Sequence, residues 1–498
     1  MSQSAPIALF AQTPENITQI AAHSTERNSS TSSARRPTFA LYTLGCKVNQ
    51  YDSHQIARAL VQRGFERVEF RESADLYVID TCTVTAEADR KSRKAAGRAR
   101  RNNADAVVAV TGCAAAYAAD QFRLVAPDAL VLDNSRKLDL PDLAIDALRE
   151  RSLWAENYAQ LRAEIGSEPL PAATRERAVL KIQDGCNHRC SYCIIPTVRG
   201  ASVTKRRATV LAEARAFVRE GARELTVTGV SMSDWGRDIT PRAGGRNAEL
   251  CSLLRAVPTI EGLERVRVSS LDPADVDDEF LETVGQTPKT CPHIHLALQS
   301  GGAATLRRMR RRYTPEMFLK AAKRWREIRP DGGLTTDIIV GFPGETAEDF
   351  DESMRIAREV KFSAIHVFPY SPRAGTVAAE LSDHVKPAEQ KRRVDALLAL
   401  ANELSAEYAS QFLRHSNCIL VETIDSRNGI AEGMTEHYIK ARVQLPISDS
   451  LGISSGDIVW FMPESWHDGA LHGAAIERPV EGHMEHLYNG DVVGILRP

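Results

Sequence analysis

From Phe39 onward, short apolar runs alternate with longer stretches whose apolar positions recur every three or four residues. The first β-type runs are Phe39–Leu44, Leu76–Asp80 and Ala106–Thr111, and helix-compatible segments follow the first two at Tyr51–Arg63 and Ala86–Arg101. This βαβα order predicts a small open α/β sheet. Residues 140–175 read as helical until Glu168-Pro169-Leu170-Pro171, which predicts a linker. A second alternation follows, with strands expected at Val179–Gln183, Leu225–Val230, Arg265–Ser269, Ile294–Leu298, Thr335–Val340 and Ile365–Phe368. Helical patterns lie between them at Leu211–Glu220, Pro315–Ile328 and Ala347–Val360. Six βα units are too few for an eight-fold barrel and fit a partial one. Glu389–Arg414 predicts a closing helix. Beyond it, Ile419–Glu422, His437–Val443 and Asp457–Met462, with Gly-containing turns, predict a small β-barrel. Residues 1–37 are rich in Ser, Thr, Ala and Asn without a period, which predicts a disordered extension.

Composition narrows the class. No apolar run in the 498 residues approaches the ~18 that a membrane span needs, and Ile7–Phe10 is too short for a signal peptide, so a cytoplasmic protein is expected. Nine cysteines form an odd set in such a chain, which argues against a full disulfide framework and for metal or redox chemistry. With 63 Lys+Arg against 65 Asp+Glu, the net charge of -2 excludes a uniformly basic nucleic-acid binder. It leaves room for local basic surfaces, because charge acts within about a Debye length.

The cysteines carry the sharpest local signal. Gly185-Cys186-Asn187-His188-Arg189-Cys190-Ser191-Tyr192-Cys193 places three thiols in one loop, just after the first strand of the second alternation. Structural zinc wants four ligands, and His188 sits awkwardly between two cysteines. Three thiolates suit a 4Fe-4S cubane with one iron left open. Cys46, Cys82 and Cys113 are too far apart for spacing to speak, but each follows a strand of the first sheet, where open α/β folds gather ligands. A second cluster and three buried free thiols stand level there. Cys251, Cys291 and Cys418 have no partner pattern and read as core or surface filler.

The Cys186, Cys190, Cys193 loop, with Tyr192 before its last cysteine, resembles the signature of radical S-adenosylmethionine enzymes. Further motifs resemble those of the methylthiotransferases: Thr43-Leu44-Gly45-Cys46-Lys47-Val48-Asn49-Gln50-Tyr51-Asp52-Ser53, Asp80-Thr81-Cys82-Thr83-Val84-Thr85, Thr111-Gly112-Cys113, Gln183-Asp184-Gly185-Cys186, Leu298-Gln299-Ser300-Gly301 and Asp337-Ile338-Ile339-Val340-Gly341-Phe342-Pro343-Gly344-Glu345. The resemblance covers about residues 39–475. It implies an N-terminal cluster domain at 38–150, a linker at 151–175, a radical SAM partial (βα)6 barrel at 176–408, a TRAM-like β-barrel at 409–480 and a tail at 481–498. It also implies two 4Fe-4S clusters, one on Cys186, Cys190 and Cys193 and an auxiliary one on Cys46, Cys82 and Cys113, facing one another across the domain boundary. S-adenosylmethionine would bind through Thr228-Gly229-Val230, with Ser269, Gln299 and Asp337 meeting ribose or methionine and Tyr192 near the adenine. Arg199 would pair with a carboxylate or phosphate, or solvate its loop.

Among the branches of that family, the Lys47-Val48-Asn49-Gln50-Tyr51 and Asp80-Thr81-Cys82 wording, with Val367-Phe368-Pro369-Tyr370-Ser371-Pro372-Arg373-Ala374-Gly375-Thr376, is most similar to the one acting on threonylcarbamoyladenosine at position 37 of tRNA. The sister branches act on isopentenyladenosine or on a ribosomal-protein aspartate. A radical formed from S-adenosylmethionine would open the attack on C2, whose aromatic C–H offers no acidic proton to a general base. Electrons would come from a donor such as a flavodoxin or ferredoxin. Three basic tracts fit phosphate contacts: Arg90–Arg101, whose Arg90, Lys94, Arg98 and Arg101 share a helical face, Arg307–Arg312, and Lys205-Arg206-Arg207. Lys440 and Arg442 would contact RNA from the last domain, although the chain beyond about 463 is acidic and departs from the usual ending.

Overall fold

The computed structural model describes residues 36–151, 177–238, 247–446 and 452–479, so the expected N-terminal extension, nearly all of the linker and the C-terminal tail lie outside the described residues. The first sheet comprises β1 (Thr38–Thr43), β2 (Glu66–Val68), β3 (Leu76–Thr81), β4 (Val107–Gly112) and β5 (Leu130–Val131) in the order β2-β1-β3-β4-β5, every pair parallel. β3 and β4 are buried at every position, as central strands covered on both faces must be. Phe39, Leu76, Val78 and Val107 pack on one face with Ile56 and Leu60 of helix α1 (Lys47–Gln62); Tyr77, Ile79, Val108 and Val110 pack on the other with Ala96 and Ala99 of helix α2 (Ala86–Asn102). Thr85 caps α2 by accepting from the Ala88 N–H, which fixes where the chain turns after Cys82.

The second unit contains β6 (Arg177–Asp184), β7 (Val203–Thr204), β8 (Glu224–Gly229), β9 (Arg265–Val268), β10 (Ser270–Leu271), β11 (His293–Leu296), β12 (Gly333–Val340) and β13 (Ala364–Pro369). Apart from the short β7 and β10, these give the six parallel strands expected of the partial barrel. β9 is bridged through Val266 to Thr290, just before β11. Side chains alternate across each strand. Leu180, Leu225, Val227, Val266, Ile294, Leu296, Leu334 and Ile338 form the core under the outer helices. The opposite positions, Arg177, Lys181, Glu224, Arg267, His295 and Asp337, face the lumen.

A third unit is a closed barrel of β14 (Asn417–Asp425), β15 (Ile430–Thr435), β16 (Lys440–Gln444), β17 (Ile458–His467) and β18 (Ala470–Ala475), in the order β14-β15-β16-β18-β17. Residues beyond 463 therefore close this barrel despite their acidic composition: Glu464 and Asp468 occupy exposed positions on the β17–β18 hairpin. The turn between β15 and β16 plugs the lower end of the second unit. Arg267 donates to the carbonyls of Thr435 and Glu436 at 2.9 and 3.0 Å, and the Tyr438 ring stacks on His293 with centroids 4.6 Å apart.

Glu224, fully buried, meets Arg177, Arg267 and Arg265 at 2.9, 3.0 and 3.1 Å under that plug. Burial disfavours its charge, yet the three guanidinium groups together hold its carboxyl far below the usual range. Breaking a buried ionic group strands its partners, so Glu224→Gln should lower unfolding free energy by about 3–5 kcal/mol in denaturant titrations. A depressed native value contributes stability that is complete above the unfolded value of 4.5 and is lost as pH falls through the native one. Wild type should accordingly lose more stability than Glu224→Gln between about pH 5 and 3.

Candidate active site

Two sets of three cysteines converge on the boundary between the first two units. Cys46, Cys82 and Cys113 stand at the carboxyl ends of the adjacent strands β1, β3 and β4, the edge where a doubly wound sheet offers its crevice. Cys46 caps α1, and Cys113 opens helix α3 (Cys113–Tyr117). Gly112 makes this approach possible: with φ 95°, a Cβ there would lie 2.4 Å from Asp80 Oδ1 and 2.5 Å from the Thr81 carbonyl. Burial pushes the Cys82 thiol up to about 12 and raises that of Cys113 as well. Three cysteines gathered at one sheet edge, free of disulfides, suit ligands that shed their protons to a metal.

The second set follows β6. Cys186 N–H donates to the Gly200 carbonyl at 3.1 Å, closing the loop, and a Cβ on Gly185 would lie 1.9 Å from the Ala201 carbonyl. Gln183 fastens the loop to its neighbour. Its Nε2 donates to the carbonyls of Asp184 and Gly185, while its Oε1 accepts from Ser231 N–H at 2.8 Å. Arg311 donates to Cys190 Sγ at 3.3 Å and to Asp272 at 2.8 Å, and burial pushes the Cys193 thiol up to about 12. His188 faces Ser231 and Arg312 through Nε2.

Arg199 joins the two sets. It is 1% exposed, donates from Nε to Cys113 Sγ at 3.3 Å, from Nη2 to Asn49 Oδ1 at 2.6 Å and from Nη1 to Asp184 at 2.9 Å, and lies 3.4 Å from Asp52. Of the alternatives open for it, the carboxylate pairing is the one the structure holds. Asp52 also takes Lys137 at 2.6 Å and pairs with Lys181. Burial opposes the charge on Asp184, yet Arg199 and Lys181 keep its carboxyl well below the usual range. Cys113 packs on Ile194 and Val198, in the segment that follows Cys193. The Ser371–Thr376 loop completes the joint: Arg373 pairs with Asp89, and Ser371 Oγ accepts from Ala86 N–H at 3.2 Å.

Around this joint, Thr228, Ser269 and Gln299 are buried at strand ends and make no side-chain hydrogen bonds among the described residues. Gly229 abuts Gln183, leaving the turn to Val230 flat against the loop. Tyr192 lies edge-on to Phe342 with centroids 6.3 Å apart. Asp337 is set deeper, in the lumen, with Oδ2 3.3 Å from His295 Nε2.

The basic tracts divide. Arg90, Lys94, Arg98 and Arg101 do share one exposed face of α2, although Arg90 pairs with Glu87. Arg311 turns inward to Cys190, and Lys205 turns inward to Glu213 and the Tyr51 hydroxyl, both at 2.7 Å. Lys440 and Arg442 both pair with Glu432, at 3.2 and 2.7 Å. Gln183, Asp52, Lys137 and Arg311 were not among the residues to which the sequence assigned a part in the site. Gln183 and Asp52 lie inside the quoted motifs, which was their only signal.

The partial barrel and its three-cysteine loop define a radical S-adenosylmethionine enzyme, and the Radical SAM superfamily model matches residues 180–357. The model of uncharacterized protein family UPF0004 matches residues 38–133. The chain is 38% identical over 81% of its length, and 89% of the relative's, to a threonylcarbamoyladenosine tRNA methylthiotransferase of Bacillus subtilis. It is 32% identical to a protein of the same name from Thermotoga maritima (81% of this chain, 90% of that one). To a tRNA-2-methylthio-N(6)-dimethylallyladenosine synthase of a Parafrankia species it is 36% identical (89% and 90%). The chain belongs to the radical SAM methylthiotransferases, whose cofactors are S-adenosylmethionine and two 4Fe-4S clusters.

Arg199→Met should lower stability by about 3–5 kcal/mol, because Asp52 and Asp184 lose a shared buried partner. Arg199→Lys should recover only part of this, since one ammonium lacks the fork that reaches both carboxylates and Cys113. Thermal and denaturant unfolding check both values.

Proposed function

We propose that this enzyme methylthiolates C2 of N6-threonylcarbamoyladenosine at position 37 of tRNA. The observation that carries the reading is the pair of cysteine triads meeting across Arg199, with open polar groups of the barrel top beside them. The substrate rests on the names of the 38% and 32% identical relatives. When bound, the cofactors supply a deoxyadenosyl radical from S-adenosylmethionine and the sulfur and methyl group to be transferred.

The chain's residues supply position and field. Cys186, Cys190 and Cys193 hold one cluster, and Cys46, Cys82 and Cys113 hold the other. Arg311 and Arg199 each set a guanidinium against one cysteine sulfur, at 3.3 Å from Cys190 and from Cys113, so each cysteine group has a cation beside it. The flat Thr228-Gly229-Val230 turn, pinned by Gln183, receives the methionine end of S-adenosylmethionine, with Ser269 and Gln299 offering hydrogen bonds and Tyr192 bounding the adenine. Burial of these groups keeps water from the reacting carbon. Arg90, Lys94, Arg98 and Arg101 on α2, with exposed Arg307 and Arg310, engage tRNA phosphates. Such contacts place the RNA without reading its bases. No helix among the described residues is long and apolar enough to cross a membrane. A tRNA substrate supports a cytoplasmic enzyme, and a flavodoxin or ferredoxin would serve as its electron donor.

Anaerobic reconstitution should load about eight irons per chain, two cubanes' worth, and Cys186→Ala or Cys113→Ala should each lose about half. Nucleoside mass spectrometry of tRNA from cells lacking the protein should show threonylcarbamoyladenosine without its methylthio group. Persistence of that group would overturn the substrate assignment, and loss of the methylthio group from dimethylallyladenosine would redirect it. For the RNA face, Lys94→Glu with Arg98→Glu should weaken tRNA binding and reduce the slope of log affinity against log salt by about 2.

A further inference from the structure

The lumen of the partial barrel holds a set of polar groups that neither cluster uses. Inward positions of β11, β12 and β13 carry His295, Thr335, Asp337 and His366. His295 is fixed at both ring nitrogens, with Nδ1 2.9 Å from Thr335 Oγ1 and Nε2 3.3 Å from Asp337 Oδ2, and its ring lies over that of His366 with centroids 5.8 Å apart. Lys47 enters the same space from the first domain, as the first residue of α1. Its charge bears on Asp337 and His366 alike, and its amine stands 6.0 Å from the centroid of the Tyr438 ring. Among the described residues Lys47 makes no ion pair and no hydrogen bond. Asp337 lies on an inner strand between β11 and β13, yet 28% of its side chain is exposed. That exposure opens onto the lumen, so there is room beside these side chains.

Two histidines and a carboxylate within 4.8 Å of one another are also a divalent-metal donor set. Charge decides between a cation and an anion. With Lys181 matched by Asp52 and Asp184, the lumen carries Lys47, Arg177, Arg265 and Arg267 against Glu224, Asp337 and the Glu422 that pairs with Arg177, which leaves positive charge in excess before anything binds. A metal ion would add to that excess, whereas an anionic group would relieve it.

We propose that Lys47, His295, Asp337 and His366 form the subsite for the N6 substituent of the target base, with the Lys47 ammonium pairing its carboxylate and Asp337, oriented by His295, accepting from its hydroxyl. This rests on the substrate reading above. A threonylcarbamoyl group carries both a carboxylate and a hydroxyl; a dimethylallyl group carries neither and would cover Lys47 and Asp337 without partners. Chain order agrees with the placement. Lys47 directly follows Cys46, so the lysine is tied by the chain to the auxiliary cysteine triad while its amine reaches the Tyr438 ring of the lumen floor.

The test compares binding of the reconstituted enzyme to three anticodon stem-loops: one with threonylcarbamoyladenosine at the target position, one in which the substituent's carboxylate is capped as its methylamide, and one with plain adenosine. Wild type should bind the free acid about 10- to 100-fold more tightly than the amide, the range of a charge-assisted hydrogen bond. Lys47→Met should abolish that preference and leave the affinity for plain adenosine unchanged, and Lys47→Arg should restore most of it. A wild type that does not distinguish acid from amide, or a Lys47→Met variant that still does, overturns the proposal. So does a stoichiometric zinc or iron beyond the cluster iron that disappears in Asp337→Asn, which would make the site a metal centre. Failure of the substrate reading is seen separately, as wild-type enzyme that leaves threonylcarbamoyladenosine unmodified in the stem-loop.

Discussion

One buried guanidinium determines how the first two units meet. Arg199 takes carboxylates from both sides of the boundary, Asp52 from α1 and Asp184 from the end of β6, and it touches a cysteine of the first sheet while lying six residues after Cys193. A charge removed from water demands partners of good geometry, and here those partners exist only when both units are docked. The same contacts therefore hold the fold together and set the separation of the two cysteine triads. Lys137 and Lys181 join them, so two carboxylates meet three cations beside Cys113, which packs on Ile194 and Val198.

How much of this was legible follows from the range of each interaction. Pro315–Ile328 and Ala347–Val360 begin and end where the periodicity puts them, because Thr314 and Thr346 cap them locally. The barrel strands were legible because their outward positions are apolar against a polar lumen. β2, β5, β15 and β18 went unseen for a different reason. The first two are only three and two residues long, and Ile430–Thr435 and Ala470–Ala475 are rich in Ala and Gly, so their β conformation comes from the pairing that closes the barrel. In the site, cysteine spacing pointed to Cys186, Cys190 and Cys193, whereas strand-end position left Cys46, Cys82 and Cys113 level with free thiols until the motif resemblance favoured a second cluster. Arg199, Arg311 and Lys137 find their partners 147, 121 and 85 residues away, and composition near them says only that they are charged.

That limit explains why basic runs were a blunt guide to RNA contact. Along α2 the run is a true surface face, since buried Ala95, Ala96 and Ala99 on the other side turn the charges outward. In Arg307–Arg312 and Lys205–Arg207 the chain is not a regular helix throughout, so neighbouring charges diverge. One turns to Cys190 or to the domain joint, and the next stays in solvent. A charge run counts as a phosphate surface only where its backbone geometry keeps the charges on one side.

The lumen extends the same logic to recognition. Its wall comes from the second unit, its floor from Tyr438 of the third, stacked on His293, and its single unpaired lysine among the described residues from the first. Burying three arginines around Glu224 is unfavourable without further partners: carbonyls of Met434, Thr435 and Glu436 accept from Arg265 and Arg267, and Glu422 pairs with Arg177 at 2.9 Å. Above that floor, Lys47 and Asp337 are charged groups with access to space. A hydrocarbon substituent would have to desolvate both and return nothing. Selectivity in such a pocket thus comes as much from the penalty on the wrong group as from contacts with the right one, and it exists only while all three units are docked.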